Sequence, residues 1–303
     1  MSRYSEPVND EFSLLRETAD ELGLEIPVPT VRRIDTTVEG HQVSALAWGA
    51  SSPRAVFLHV GGQNAHTWDS VLLTLGIPAL AIDLPGHGHS SWRADSDYSP
   101  APNAQAITPV VEELAPQVEL VVGMSLGGLT AIRLAATVPN LVPRAVIVDV
   151  TPESPNRAAE LERQARGTVA LIEGPHDFAD LADLAEIIDL THAAAPHRSL
   201  TSIRRGVIHN TRRRADGRWE WRYDRLREAP RAQPLWDDLR AATAPMTLVR
   251  GGRSAFTSDE DVVRFRDRGA HTDVLTIDGA GHSVQSDAPR ELASLIAHVL
   301  GQS

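Results

Sequence analysis

The pentapeptide Gly123-Met124-Ser125-Leu126-Gly127 sets a serine between two glycines, at the end of the apolar run 118–124 and just before helix-forming residues. A strand that runs into Gly-x-Ser-x-Gly and then a helix makes a nucleophile elbow, a sharp turn that lifts the hydroxyl into the open. The glycines lack Cβ atoms, so strand and helix can approach closely. The helix N-terminus favours the negative charge that develops during acyl transfer. A serine needs a base beside it to become a nucleophile. In such a strand–elbow–helix arrangement the histidine follows the serine and comes last in the chain. His282, in the loop sequence Gly279-Ala280-Gly281-His282, meets that order. The implied chemistry is attack by Ser125 on an acyl carbon with His282 as general base, and Leu126, the residue after the nucleophile, gives one backbone N–H to an oxyanion hole.

These residues need a scaffold that brings distant strand ends together. The runs 54–60, 78–84, 118–124 and 144–150 are short, nearly continuous and rich in Val, Ile and Leu, with helix-length segments between them. Strands buried on both faces that alternate with helices predict an α/β fold with a mostly parallel central sheet flanked by helices. The pattern resumes at 244–252 and 272–282, and 289–300 closes the chain as an amphipathic helix. Ahead of it, 10–23 reads as a docked helix, and 30–38 with 41–49 as an antiparallel hairpin at a sheet edge.

The segment 151–235 breaks this rhythm. It has helical patterns at 158–172, 178–191 and 199–210, and a hairpin at 213–224 turning at Asp216-Gly217. We read it as a mainly helical cap, which divides the chain into core residues 1–150, cap residues 151–235 and core residues 236–303. Its arginines, Arg204, Arg205, Arg212, Arg213 and Arg214, either select an acidic acyl group or form a solvated face.

Composition narrows the partners. A net charge of −11 argues against nucleic acid, which needs a basic face. With no cysteine, disulfides, thiolate nucleophiles and cysteine-ligated zinc are excluded. The first ten residues hold no apolar leader, and no window is apolar enough to span a membrane, so a cytoplasmic protein is expected. His87 and His89 lack a third ligand at matching spacing, so no metal is expected. Neither a phosphate loop nor a dinucleotide fingerprint is present, and no organic cofactor is implied.

The motifs together resemble the α/β-hydrolase superfamily over nearly the whole chain. Residues 58–71 are similar to its His-Gly oxyanion loop with a downstream tryptophan, 83–92 to its Asp-x-Pro-Gly-x-Gly-x-Ser loop, and 279–289 to its histidine loop. With 236–252 added, the run of motifs is similar to capped mycobacterial and actinobacterial carboxylesterases, which implies hydrolysis of short acyl esters. The resemblance implies Gly61 as the second oxyanion donor. Val60 replaces the usual glycine there, so Gly62 is an alternative. Gly62, Asn64 and His66, with Trp68, are placed to line the acyl pocket, while His59 and Asp83 are expected to brace the loops.

The resemblance also exposes a departure. The superfamily's usual acid falls at Ser254, and 253–258 contains no carboxylate. Asp149, at the end of the 144–150 strand, is the alternative the fold offers. Asp259 or Asp261, or no acid at all, remain open, although Ser258 to Asp261 reads as a helix cap. The expected function is a carboxylesterase-type serine hydrolase acting on a small-molecule ester. Thioester, lactone or carbon–carbon bond hydrolysis, or perhydrolysis, would use the same constellation. Epoxide hydrolases and dehalogenases are disfavoured because they need a carboxylate where Ser125 stands. A non-catalytic small-ligand-binding relative is the rival from another class. The oligomeric state is not legible.

Overall fold

The computed structural model describes residues 10–161, 184–224, 235–268 and 271–301. Its core elements run α1 (Leu14–Glu21), β1 (Val31–Val38), β2 (His41–Trp48), β3 (Ala55–Leu58), α2 (Asp69–Leu75), β4 (Ala79–Ile82), α3 (Pro100–Leu114), β5 (Leu120–Met124), α4 (Leu126–Thr137), β6 (Ala145–Val148) and α5 (Ser154–Glu160). Next come α6 (Leu184–Ala194), α7 (Leu200–Asn210) and the short strands β7 (Thr211–Arg213) and β8 (Trp219–Trp221). The chain then returns to the sheet through α8 (Trp236–Ala241), β9 (Met246–Gly251), α9 (Asp259–Arg266), β10 (Thr272–Ile277), α10 (Val284–Asp287) and α11 (Pro289–Val299).

The sheet has the order β1-β2-β4-β3-β5-β6-β9-β10. The pairings β1–β2 and β2–β4 are antiparallel, and every pairing from β4 through β10 is parallel. The apolar runs are continuous because both faces are covered. Val56, Leu58, Val121, Ile147 and Leu248 point into one core with α3, α4, α8 and α9. Phe57, Leu120, Val122, Val146 and Val249 point into the other with α1, α2 and α11. This alternation is the period-2 geometry of a strand.

A third, smaller apolar cluster joins Ile187 and Ile188 of α6, Ile203 and Val207 of α7, and Trp221 and Tyr223 by the β7–β8 hairpin. Gly217 turns that hairpin at φ 86°. The expected helix at 158–172 lies mostly outside the described residues, as does the first part of the one at 178–191. Among the described residues no helix is long and apolar enough to cross a membrane.

Candidate active site

Ser125 stands between β5 and α4 with φ 50° and ψ −115°, a conformation that L-residues adopt only under constraint. The constraint is close packing. A Cβ on Gly123 would lie 2.3 Å from the Gly127 carbonyl oxygen, and one on Gly127 would lie 2.2 Å from that of Leu58. The Ser125 N–H donates to the Val148 carbonyl at 3.2 Å and the Gly127 N–H to that of His59 at 3.1 Å. The elbow is thereby anchored to both neighbouring strands.

Asp149 follows β6 and is fully buried, also at positive φ, 49°. Its carboxylate has three donors. The Gly251 N–H reaches Oδ1 at 2.9 Å, and both the Ser254 hydroxyl and His282 Nδ1, the latter at 2.7 Å, reach Oδ2. Ser254, at the position where the superfamily's usual acid would fall, hydrogen-bonds to Asp149. Its Oγ also accepts the Phe256 N–H at 3.2 Å, and the Phe256 ring stacks on the His282 imidazole with centroids 3.7 Å apart. With Nδ1–H held by Asp149, the imidazole presents a basic Nε2. That atom is buried and has no partner among the described residues. No hydrogen bond joins it to Ser125 Oγ here; such contacts commonly tighten only around bound substrate.

The other acids do not reach His282. Asp261 closes the capping box of α9 with Ser258 and pairs with Arg157 at 2.9 Å. Asp259 is exposed and pairs with Arg250.

The turn after β3 lies beside the elbow: a Cβ on Gly61 would sit 3.8 Å from the Leu126 side chain. Among the described residues the N–H groups of Gly61, Gly62 and Leu126 donate to no protein acceptor. His59 is fully buried, accepting the Leu84 N–H at Nε2 (2.9 Å) and giving Nδ1–H to the Val60 carbonyl (2.8 Å). Burial pushes its pKa down, in keeping with a neutral brace. Asp83 accepts the N–H groups of Ala65 and His89 and pairs with Arg33. The His87 ring packs between His59 and Tyr98.

A cavity of about 1100 Å³, counting its open mouth, runs from this turn beneath α6 and α7. Gly61, Gly62, Asn64 and His66 line it, whereas Ser125 and His282 are not among its walls. Trp68 departs from expectation: it is fully buried in the core against Phe57, with ring centroids 5.2 Å apart. It sits in a 3-10 turn, Ala65–Trp68, whose inward face belongs to the sheet.

His66 reaches the cavity wall with both ring nitrogens engaged, Nδ1 by Asp69 at 2.9 Å and Nε2 by Glu11 at 3.1 Å. Burial alone would lower its pKa, but the Asp69 carboxylate and then Glu11 outweigh it and hold the imidazolium up to about 9. Burial would raise Glu11, yet hydrogen bonds from His66 and Arg33 keep it well below the usual carboxylate range. His209 stacks on His66 with centroids 3.7 Å apart and is pushed down by burial and by that cation. His66, Asp69 and His209 bring metal-ligand atoms within 4.8 Å of one another. Because the rings stack at 12°, their in-plane lone pairs run in parallel sheets and do not converge.

A pKa raised on folding stabilises most below the unfolded value of 6.5, and that stability disappears as pH climbs through 9. His66→Gln should therefore lower Tm by about 3–8 °C at pH 6.5 and much less at pH 9.5. Parallel melting curves for wild type and variant across that range would refute the charged assignment.

Four of the five arginines at 204–214 are engaged in ion pairs, and Arg213, which is exposed, donates from Nε to the Gly217 carbonyl at 3.2 Å. Arg204 and Arg205 pair with Glu17 and Glu21 of α1, while Arg212 and Arg214 pair with Glu220. On the other flank Arg198 pairs with Asp287 at 2.9 Å, whose second oxygen takes the Gly281 N–H beside His282.

The sequence profile of the alpha/beta hydrolase family matches residues 55–295. The chain belongs to that family. This hydrolase is 53% identical over 292 residues to the esterase Rv0045c of Mycobacterium tuberculosis, covering 96% of each chain. A crystal structure of that esterase superposes with a TM-score of 0.86, at 49% identity and 99% coverage of both chains. The sn-1-specific diacylglycerol lipase ABHD11 of Mus musculus is 26% identical, over 83% of this hydrolase and 82% of the lipase. A thioesterase domain from the curacin biosynthetic pathway superposes with a TM-score of 0.71 at 25% identity, covering 88% of this hydrolase and 99% of that domain.

Proposed function

We propose that this hydrolase cleaves small-molecule carboxylic esters through an acyl-enzyme on Ser125. The observation that carries the reading is the 2.7 Å contact between Asp149 Oδ2 and His282 Nδ1, which holds the histidine in the tautomer whose Nε2 is left to accept a proton. Ser125 Oγ attacks the carbonyl as His282 Nε2 takes its proton. The N–H groups of Gly61 and Leu126 hold the oxyanion, and the imidazolium, steadied by Asp149, returns the proton to the leaving alcohol. Water, deprotonated by the same nitrogen, then releases the acid. No step calls on a metal or organic cofactor. In this reading 151–235 is the cap insertion, with α6 and α7 over the cavity, 1–150 and 236–303 are the core, and the enzyme acts in the cytoplasm.

Rapid mixing with a chromogenic ester series of two to eight acyl carbons tests this. One equivalent of alcohol should appear in a burst before steady turnover, and a phosphonate probe should add to Ser125 in peptide maps. Turnover without a burst, accompanied by probe on another residue, would defeat the proposal. The chain-length optimum gives the pocket's reach.

A further inference from the structure

The turn that carries the oxyanion donors does not hold its shape unaided. Gly61 and Gly62 are adjacent glycines, the pair of residues that loses most backbone freedom when ordered. Gly62 sits at φ 74°, and the turn is closed by a long bond, Gln63 N–H to the Val60 carbonyl at 3.3 Å. The peptide between Gly62 and Gln63 is gripped from its other end as well. Asn210, the last residue of α7, donates from Nδ2 to the Gly62 carbonyl at 2.7 Å.

Asn210 is itself held. Its Oδ1 accepts from Asn64 Nδ2 at 3.1 Å, and the same Nδ2 reaches the His209 carbonyl at 3.1 Å. Asn64 Oδ1 accepts the His66 N–H at 3.0 Å, and the Asn210 carbonyl accepts the Arg222 N–H at 2.8 Å. Two asparagines thus stitch the turn after β3 to a helix 148 residues along the chain.

We propose that Asn210 is a positioning residue for the oxyanion hole, supplied by the segment above the cavity. The proposal rests on the reading of Ser125 as nucleophile. An oxyanion donor works only when it already lies about 2.7–3.1 Å from where the oxyanion will form. A Gly-Gly turn samples orientations in which its N–H groups face elsewhere. Fixing the Gly62 carbonyl selects the arrangement that keeps the N–H groups of Gly61 and Gly62 unspent, with Gly61 beside Leu126. Asn210 lines the cavity but has no hydrogen bond to Ser125 or His282, and its bond to the Gly62 carbonyl is the link through which it acts.

Asn210→Leu removes the amide at similar volume, and Asn210→Gln keeps an amide on a longer arm. Asn210→Leu should lower kcat by about 10- to 30-fold, short of the about 10²-fold or more for losing a whole donor, with KM within about twofold. The affinity for a trifluoromethyl ketone, whose adduct on the serine carries an oxyanion, should fall by the same factor. Binding of the matching alcohol, which lacks the ketone, should not change. Asn210→Gln should recover part of both losses.

If Asn210→Leu melts like wild type and keeps full kcat and ketone affinity, the assignment is wrong. It is equally wrong if only KM rises. Should Asn210→Leu not fold, Asn210→Gln decides: unchanged ketone affinity with weakened alcohol binding overturns the proposal, and the reverse pattern supports it. Turnover surviving in Ser125→Ala would instead remove the nucleophile reading beneath it, a result the Asn210 variants cannot mimic.

Discussion

Ser125→Ala is expected to lower kcat by about 10⁶-fold, leaving only what the oxyanion donors and substrate binding contribute. The change removes one oxygen and little else. Alanine meets the same backbone constraint as serine at φ 50°, so the elbow keeps its form. The N–H groups of Gly61 and Leu126 and the cavity walls are untouched. Substrate affinity, measured by equilibrium binding of the ester to the inactive variant, should therefore stay close to the wild-type value. Steady-state rates with a chromogenic ester supply the comparison. Retention of more than a few per cent of wild-type kcat would exclude Ser125 as the nucleophile.

Asp149→Asn should lower kcat by about 10⁴-fold in a protein that still folds. Asn has the same shape, and its carbonyl can continue to accept from the Gly251 N–H, which now reaches Oδ1 at 2.9 Å. The amide nitrogen then faces His282 Nδ1. Two donors cannot share that contact, so the imidazole must carry its proton on Nε2, the tautomer unable to accept from Ser125. Adding Ser254→Asp should recover about tenfold or more of the lost rate. Residue 254 already hydrogen-bonds the oxygen that orients the histidine, and a carboxylate there can take over the Nδ1–H. A single Asp149→Asn variant with kcat within tenfold of wild type would mean that the serine–histidine pair works without an acid. Failure of the double variant to gain over the single one would mean that the loop after β9 cannot reach the ring.

How much of this was readable beforehand depends on the range of the interaction. The strands were legible because burial on both faces leaves uninterrupted apolar runs, and the β7–β8 hairpin because Asp216-Gly217 can take the backbone angles its turn needs. Ser125 and His282 stood out since their motifs are local: each is set by residues within five positions. The acid is not local. Asp149 and Ser254 are brought into contact by the pairing of β6 with β9, and nothing in either segment alone says whether Asp149, Asp259 or Asp261 will face His282. The same holds for Asn210 and Gly62. Trp68 misled because position along the chain says nothing about which face of a 3-10 turn looks inward. His66 and Asp69 were three residues apart and open to notice, but the third member of that group, Glu11, enters from a segment ahead of the sheet.

One feature of the backbone has a bearing on how this chain would respond to engineering. Ser125 and Asp149 are both non-glycine residues at φ near 50°, each in a conformation that costs on the order of 1–3 kcal/mol. Glycine would sit at either place without strain. A search guided by thermostability alone would therefore score Ser125→Gly as an improvement, whereas Asp149→Gly would strip the Gly251, Ser254 and His282 donors of their buried acceptor. At Ser125 selection for activity and selection for rigidity point in opposite directions. Any directed-evolution scheme on this scaffold has to hold that position by an activity screen, since a stability screen will discard it.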